Sequence, residues 1–322
     1  MSTPYLPEDE FIELYVTKGP TYIAELTGGN IRQVNRRRAN IAKKTGFPIL
    51  APAARIQQRK ASITAMLQTT LENGCMVLGS DPHYWPLDVP TAHIAMVKVI
   101  RELKPKIVVL DGDVTDGASI SRHPPIGWES MPTLQGELET CQLRLKEIEK
   151  AAPRAELFWP AGNHDLRFET KLATVGPEFK GVQGTSLHHH FSKRWKHCWA
   201  VRINGDTIVK HRFKGGVHAA YNNALHSGVH MFTGHLHKGV ARAFTDYNGT
   251  RWGIDMPTLA EPYGPQFQDY TELNPVDWRS GFTVATFKDG KLLQPEFGFT
   301  VGDGVYEFRG QHHKVSLKDL EG

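Results

Sequence analysis

The sequence predicts an α/β protein, and three observations carry that expectation. Apolar runs of strand length, rich in β-branched residues, alternate with helical stretches from Cys75 to about Leu157. Five such runs end abruptly in Asp, Asn or His, and open α/β sheets place their chemistry just outside the carboxyl ends of strands. After Gly234 the helical pattern gives way to short strands with turn signals at Asn248-Gly249 and Asp289-Gly290.

Taken in order, the chain begins with helical signals. Asp9 to Val16 reads as one helix, and Thr21 to Thr27 as a second, opened by Pro20. Gly28-Gly29 interrupts them, and Asn30 is placed to cap a third helix that runs to about Lys44 and stops near Gly46-Phe47-Pro48. Residues 1–47 are therefore expected to form a small helical domain. Ala24, Gly28 and Val34 are spaced as in helix-turn-helix domains: a small residue for close crossing, a glycine for the turn, an apolar anchor. Residues 48–73 are expected to supply a linker, Ile49 to Arg59, and a lead-in helix over Ala61 to Asn73. Residues 74–322 then form the main domain. Its first part reads as a strand to Ser80, a helix from Pro90 to Leu103, the strand Ile107 to Leu110, a helix from Pro132 to Ala151 and a strand near Leu157.

Composition narrows the class. The chain has 322 residues, 40% hydrophobic and 22% charged, which suits a soluble protein with a large core. No apolar run approaches membrane-spanning length, and the amino terminus has no signal-peptide pattern. Cys75, Cys141 and Cys198 are odd in number and widely spaced, so no disulfide framework is expected and a reducing cytoplasm is the expected location. The net charge is only +4, but its distribution is uneven. Ile31 to Leu71 contains no acid, and Arg32, Arg36, Arg37 and Arg38 lie close together on the third helix. That run fits either a nucleic-acid surface, DNA before RNA, or a solvated basic helix.

The five strand ends carry the chemistry. They are Asp81-Pro82-His83; Asp111-Gly112-Asp113 with Asp116; Gly162-Asn163-His164-Asp165; His211; and Gly234-His235-Leu236-His237. Carboxylates at the end of a buried strand cost several kcal/mol unless a cation neutralises them. His, Asp and Asn without Cys suit hard-to-borderline divalent ions rather than structural zinc. In extended chain His235 and His237 would leave on the same side and reach neighbouring ions, with Leu236 toward the core. In the fourth block His211 ends a strand, while His218 follows seven residues later as the alternative. His164 cannot easily share an ion with its neighbour Asn163.

In this order, and each after a strand, the five blocks resemble the calcineurin-like metallophosphoesterases over residues 74 to 245. A narrower similarity is to the Mre11/SbcD-type nucleases. The resemblance implies a four-layer α/β/β/α sandwich of two sheets between helical layers, here with the small helical domain in front. It implies two divalent ions, Mn²⁺ first, with Fe²⁺, Zn²⁺ or Ni²⁺ as alternatives. Asp81, His83, Asp113 and His237 would hold one ion; Asp113, Asn163, His211 and His235 would hold the other, with Asp113 bridging. By the same resemblance His164 would face the substrate as general acid, with Asp165 or Asp116 to orient it. Arg122, His123 and Arg167 follow the motif loops and would contact substrate phosphates. The implied reaction is phosphodiester hydrolysis by a bridging hydroxide, in nucleic acid if the basic segment binds it. The competing readings are a phosphomonoesterase, a cyclic-nucleotide phosphodiesterase, and a DNA-binding adaptor whose metal domain is structural.

Overall fold

The computed structural model describes residues 6–46, 49, 51–52, 65–123, 126, 131–272 and 274–321. They fall into two compact units, Met1–Ala65 and Met66–Gly322.

The first unit contains helices α1 (Glu8–Thr17), α2 (Pro20–Thr27) and α3 (Ile31–Thr45). Asn30 closes a capping box with Gln33, which satisfies two of the donors that a helix start leaves free. Gly28 ends α2 in the left-handed conformation, at φ 65°. Phe11, Tyr15, Ile23, Ala24, Val34 and Ile41 form its apolar interior. The expected linker lies largely outside the described residues, as does the start of the expected lead-in helix. Its later part is not helical: Leu67–Thr69 is a strand, β1. Residues Leu67 to Thr69 pair with Val201 to Ile203, so a partner far away in the chain overrides local preference.

The second unit is built on two sheets. Its other strands are β2 (Gly74–Gly79), β3 (Ile107–Leu110), β4 (Glu156–Pro160), β5 (Trp195–Cys198), β6 (Val201–Ile203), β7 (Thr207–Val209), β8 (His230–Thr233), β9 (Val240–Asp246), β10 (Gly249–Asp255), β11 (Gly281–Lys288), β12 (Lys291–Leu292), β13 (Glu296–Gly302), β14 (Val305–Phe308) and β15 (Gln311–Lys314). The nine-stranded sheet runs β15-β14-β13-β11-β2-β3-β4-β5, with β12 beside β11; the six-stranded sheet runs β1-β6-β7-β8-β10-β9. Strands β2 to β5 are parallel, joined in part by α4 (Thr91–Leu103) and α5 (Leu134–Ala151).

The period-two alternation of these strands sets the layers. Val77, Val108, Leu110, Leu157 and Trp159 face the helices and pack with Ala95, Val99, Leu138 and Leu145. Met76, Leu78, Ile107, Val109 and Phe158 face the other way and meet Val201, Val209, Phe232 and Ile254 of the six-stranded sheet. Helices α6 (Arg167–Val175) and α7 (Ala219–Ser227) were not legible in the sequence, nor was the four-residue α8 (Gln268–Thr271) after Gly234. Helix α7 lies against β8, β9 and β10 and covers the far face of the smaller sheet. The fold is thus α/β with two sheets between helices. Among the described residues no helix is long and apolar enough to cross a membrane, and all three cysteines are free.

Candidate metal centre

The carboxyl ends of β2, β3 and β4 and those of β7 and β8 converge, so both sheets deliver residues to one place. Backbone hydrogen bonds tie the loops together: Asp81 N–H to Gly112 O (3.1 Å), His83 N–H to Asp113 O (3.0 Å), Gly234 N–H to His211 O (3.1 Å). Gly112 takes φ +77°, and a Cβ there would stand 2.6 Å from His211 Nδ1, so only glycine lets these loops close. Asp81, His83, Asp113, His235 and His237 all adopt positive φ, between 40° and 73°. Side chains rarely take this conformation, and five neighbours doing so marks a place where surrounding structure forces the backbone. It also corrects one expectation: His235 and His237 do not lie on extended chain, because β8 stops at Thr233.

Three groups of side chains result among the described residues. Asp81, His83 and His237 have ligand atoms within 4.8 Å of one another, and so do Asp113, His211 and His235, and His83, Asp116 and His164. His237 Nε2 lies 3.1 Å from Asp81 Oδ1, and His211 Nε2 lies 3.1 Å from Asp113 Oδ2. His83 Nε2 to Asp113 Oδ2 is 4.0 Å, and His211 Nε2 to Asp81 Oδ1 is 3.8 Å. The last two are too long for hydrogen bonds. They approach the spacing of ligands that share an ion at bonds of about 2.0–2.2 Å, whose mutual distances are roughly 3.0–3.4 Å.

The outer hydrogen bonds orient the ring nitrogens. His211 Nδ1 donates to Asp111 O at 2.7 Å, and His83 Nδ1 meets Asp116 Oδ1 at 2.9 Å, so in both rings Nε2 turns inward. Asp81 receives the His235 N–H on both oxygens, at 3.0 and 2.9 Å. Asn163 Oδ1 and His237 Nδ1 are buried without a hydrogen-bond partner among the described residues. Burial alone would push the Asp81 and Asp113 carboxyls up. Instead His237 and His211 beside Asp81, and chiefly His211 beside Asp113, hold both well below the carboxylate range. Burial opposes charge on His211, yet Asp113 and Asp81 hold its pKa up at about 10. The donors gathered here are imidazole nitrogens and carboxylate oxygens, free of sulfur, a set that suits a divalent cation. The residues present therefore fit metal ions.

His218 stands apart, exposed ahead of α7, so the fourth block contributes His211. His164 lies beside the cluster: its N–H donates to Asp113 Oδ1 (2.7 Å), and its Nδ1 sits 3.1 Å from Asp116 Oδ1. Burial disfavours the imidazolium, but the hydrogen bond to Asp116 and the charge of Asp113 hold the His164 pKa above its ordinary value. Asp116 is thus the carboxylate that orients His164, and it serves His83 as well. Asp165, expected as an alternative orienter, does other work. Its Oδ1 accepts from Val114 N–H, Thr115 N–H and the Thr115 hydroxyl, and its Oδ2 from Trp159 Nε1–H and Gly162 N–H. It fastens the second motif loop to the third.

A cavity of about 550 Å³ opens over this centre, lined by His83, Asp113, Asn163, His164, His235 and His237 on the metal side. Of the residues expected at substrate, Arg167 and His123 line it, and Arg122 is exposed outside it. Arg167 Nη1 donates to Asp116 O at 2.9 Å, with Nη2 3.2 Å from His164 Nε2. Four further lining residues, Gln266, Phe267, Tyr270 and Trp278, carry no sequence motif and were missed. The consecutive histidines His188, His189 and His190 form a 3-10 turn, in which His189 Nδ1 and His190 Nε2 bond the backbone of Gly184.

In the first unit, Arg32 and Arg36 are exposed on α3, and Arg38 is half-buried. Arg37 is half-buried too, and its guanidinium lies 4.4 Å above the Phe11 ring and donates to Leu6 O.

No protein-family model matches the chain, and no curated protein does. Solved structures with a similar course of chain include Vps29 from Entamoeba histolytica complexed with zinc (14% identity, 75% of this chain and 98% of that one, TM-score 0.37). A Streptococcus pneumoniae protein described as a predicted phosphoesterase is 12% identical over 76% of this chain and 99% of its own, at TM-score 0.29. The Pseudomonas putida nuclease MPE is 11% identical over 67% and 85%, at TM-score 0.27. At such scores the likeness is one of outline, and no residue role is taken from it.

Proposed function

We propose that the protein is a metal-dependent phosphoesterase that hydrolyses phosphodiesters, with nucleic acid as its substrate. Asp81, His83, Asp113 and His237 would hold one divalent ion, Mn²⁺ first, and Asp113, Asn163, His211 and His235 a second. Bound there, such ions would neutralise phosphoryl oxygens and lower the pKa of water toward neutrality. The single observation that carries this reading is the convergence of the Asp81–His83–His237 and Asp113–His211–His235 groups beneath a cavity that His164 also lines.

The chain's own residues then divide the work. Arg167, beside His164, attracts a phosphoryl oxygen and sets the ester within reach. His164, oriented through Nδ1 by Asp116, would pass a proton from Nε2 to the departing alkoxide once substrate draws Arg167 away, a contribution of about 10²–10⁴-fold. Asp165 and the backbone contacts at Gly112 keep both loops in register, so these groups need no rearrangement.

The test is hydrolysis of bis(p-nitrophenyl) phosphate with and without added Mn²⁺, beside single-stranded DNA, duplex DNA, RNA, cyclic nucleotides and phosphoproteins. Metal-dependent cleavage of the diester and of a polynucleotide, lost in Asp113→Asn together with bound metal, supports the reading. Metal binding with no hydrolysis of any ester returns the adaptor. Faster cleavage of monoesters or cyclic nucleotides overturns the polynucleotide assignment.

A further inference from the structure

The cavity wall formed by Gln266, Phe267, Tyr270 and Trp278 has no part in the chemistry above, yet it is built of unusual components. Gln266 is only 7% exposed, and both its amide oxygen and its amide nitrogen are buried without a hydrogen-bond partner among the described residues. Leaving a buried amide unsatisfied costs about 1–3 kcal/mol; the Gln266 residue lines the cavity but its amide atoms present no surface to it, so a turn of the side chain toward the cavity would give both groups partners on an entering ligand. Its placement is specific: a Cβ on Gly264 would stand 2.7 Å from Gln266 Oε1, so the glycine leaves room for the amide.

Beside the amide runs a file of rings. Phe267 meets His83 edge-on at 5.1 Å, Trp278 meets His237 at 4.8 Å, and Phe267 and Trp278 are 5.1 Å apart. Tyr270 then lies nearly parallel to Trp278, with an interplanar angle of 11° and centroids 6.3 Å apart, and is 70% exposed. The file begins at two of the histidines that would hold metal and ends at the rim. Apart from the Arg279 N–H, which bonds His237 O at 2.7 Å and fixes the chain beside Trp278, it offers flat apolar faces.

We propose that this wall is a nucleobase-binding subsite, with Tyr270 and Trp278 as the stacking platform and the Gln266 amide as the group that pairs with the base edge. One donor and one acceptor on a planar amide match the adjacent donor and acceptor of a base such as adenine. Parallel aromatic rings accept any base face. A phosphate at the His/Asp clusters would place the attached base along this wall. An aliphatic ester would satisfy neither the amide nor the rings. The inference rests on the phosphodiester reading for the position of the phosphate, but its test measures binding rather than turnover.

Equilibrium dialysis of the full metal-loaded chain with adenosine 5′-monophosphate and with ribose 5-phosphate, each checked intact afterwards, reads the contribution of the base. The nucleotide should bind at least about tenfold more tightly, as stacking of one base supplies. Gln266→Leu and Trp278→Ala should each shrink that ratio several-fold. Tyr270→Ala should shrink it too, at an exposed position where folding is not at stake. Equal affinity for the two ligands, no binding of the nucleotide, or a ratio unchanged in all three variants overturns the subsite. A chain that cleaves no polynucleotide but keeps the ratio, and loses it in the variants, retains the subsite and loses the nuclease reading. One that cleaves DNA while binding both ligands alike does the reverse.

Discussion

Gly162→Ala is the smallest change that should disable the centre without removing any of its donors. A Cβ at position 162 would stand 2.0 Å from Asp113 Oδ1 and 2.2 Å from Asp113 N. An ordinary carbon–oxygen contact needs about 3.3 Å, so Asp113 or the Gly162 loop must retreat by roughly 1 Å. Gly162 is outside the left-handed region, so alanine pays no backbone penalty and the effect is purely steric. Because the neighbours are partly backbone, the clash cannot be relieved by a rotamer change. Overpacking of this kind costs about 1–3 kcal/mol. In a domain of this size that lowers Tm by roughly 2–12 °C. The retreat would also stretch the 2.7 Å bond from His164 N–H to Asp113 Oδ1, so His164 and Asp113 lose register together. A misplacement of about 1 Å can cost 10²-fold in rate. The assay is metal content by plasma emission, turnover on bis(p-nitrophenyl) phosphate and a melting curve, with Gly215→Ala as control, since nothing lies within 4 Å of a Cβ there. Parental metal content with turnover within twofold would refute the claim that loop contact at Gly162 positions Asp113.

Three other outcomes are expected. His164→Gln should keep near-normal metal content while turnover falls about 10²-fold or more on alkyl esters and less on activated aryl esters, measured side by side; equal losses would remove the general-acid role. Glu137 is buried on α5 and accepts from Gly117 N–H, and burial raises its carboxyl from an ordinary 4.5 to about 7. The folded state therefore holds the proton more tightly than the unfolded state, and stability falls as pH rises from about 4.5 to 7. The loss is on the order of 3 kcal/mol, and Glu137→Gln should flatten that part of the Tm–pH curve. Neutralising Arg32 and Arg36, both exposed on α3, should weaken DNA binding and flatten its salt slope by up to about two units in filter-binding titrations. An unchanged slope would leave the basic helix as a solvated face.

What could be read in advance, and what could not, divides along a physical line. An apolar run that ends in Asp, Asn or His is a local signal, because period-two burial and the abrupt polarity change lie within a few residues. Asp81, Asp113, Asn163, His211 and the pair His235 and His237 were therefore legible, and all belong to the loops that the sheets bring together. The left-handed backbone at His235 and His237 was not legible. It is imposed by partners distant in the chain, such as the bond from His235 N–H to Asp81 and that from Arg279 N–H to His237 O. The same limit explains why Asp116 rather than Asp165 orients His164. Both carboxylates are near in sequence to a motif, and only the packed loops decide that Asp165 is consumed by five donors from Val114, Thr115, Trp159 and Gly162.

Arg37 makes the same point for charge. Its position within the run Arg36-Arg37-Arg38 gave no sign that one guanidinium would fold over Phe11, because cation–π contacts depend on how α1 meets α3. The positive surface available to a polyanion is accordingly smaller than the sequence count, and its exposed charges on α3 begin with Arg32 and Arg36. The wall formed by Gln266, Phe267, Tyr270 and Trp278 lies at the far end of this scale. Those residues have no strand or helix period in common, and the element that carries Tyr270, α8, is only four residues long. Their meaning arises from an unsatisfied amide and parallel rings, which exist only after the chain has folded. Sequence motifs thus locate the His, Asp and Asn donors, whereas the groups that line the rest of the cavity emerge from packing. Substrate preference in this protein should accordingly change through the wall residues while the His/Asp clusters stay fixed.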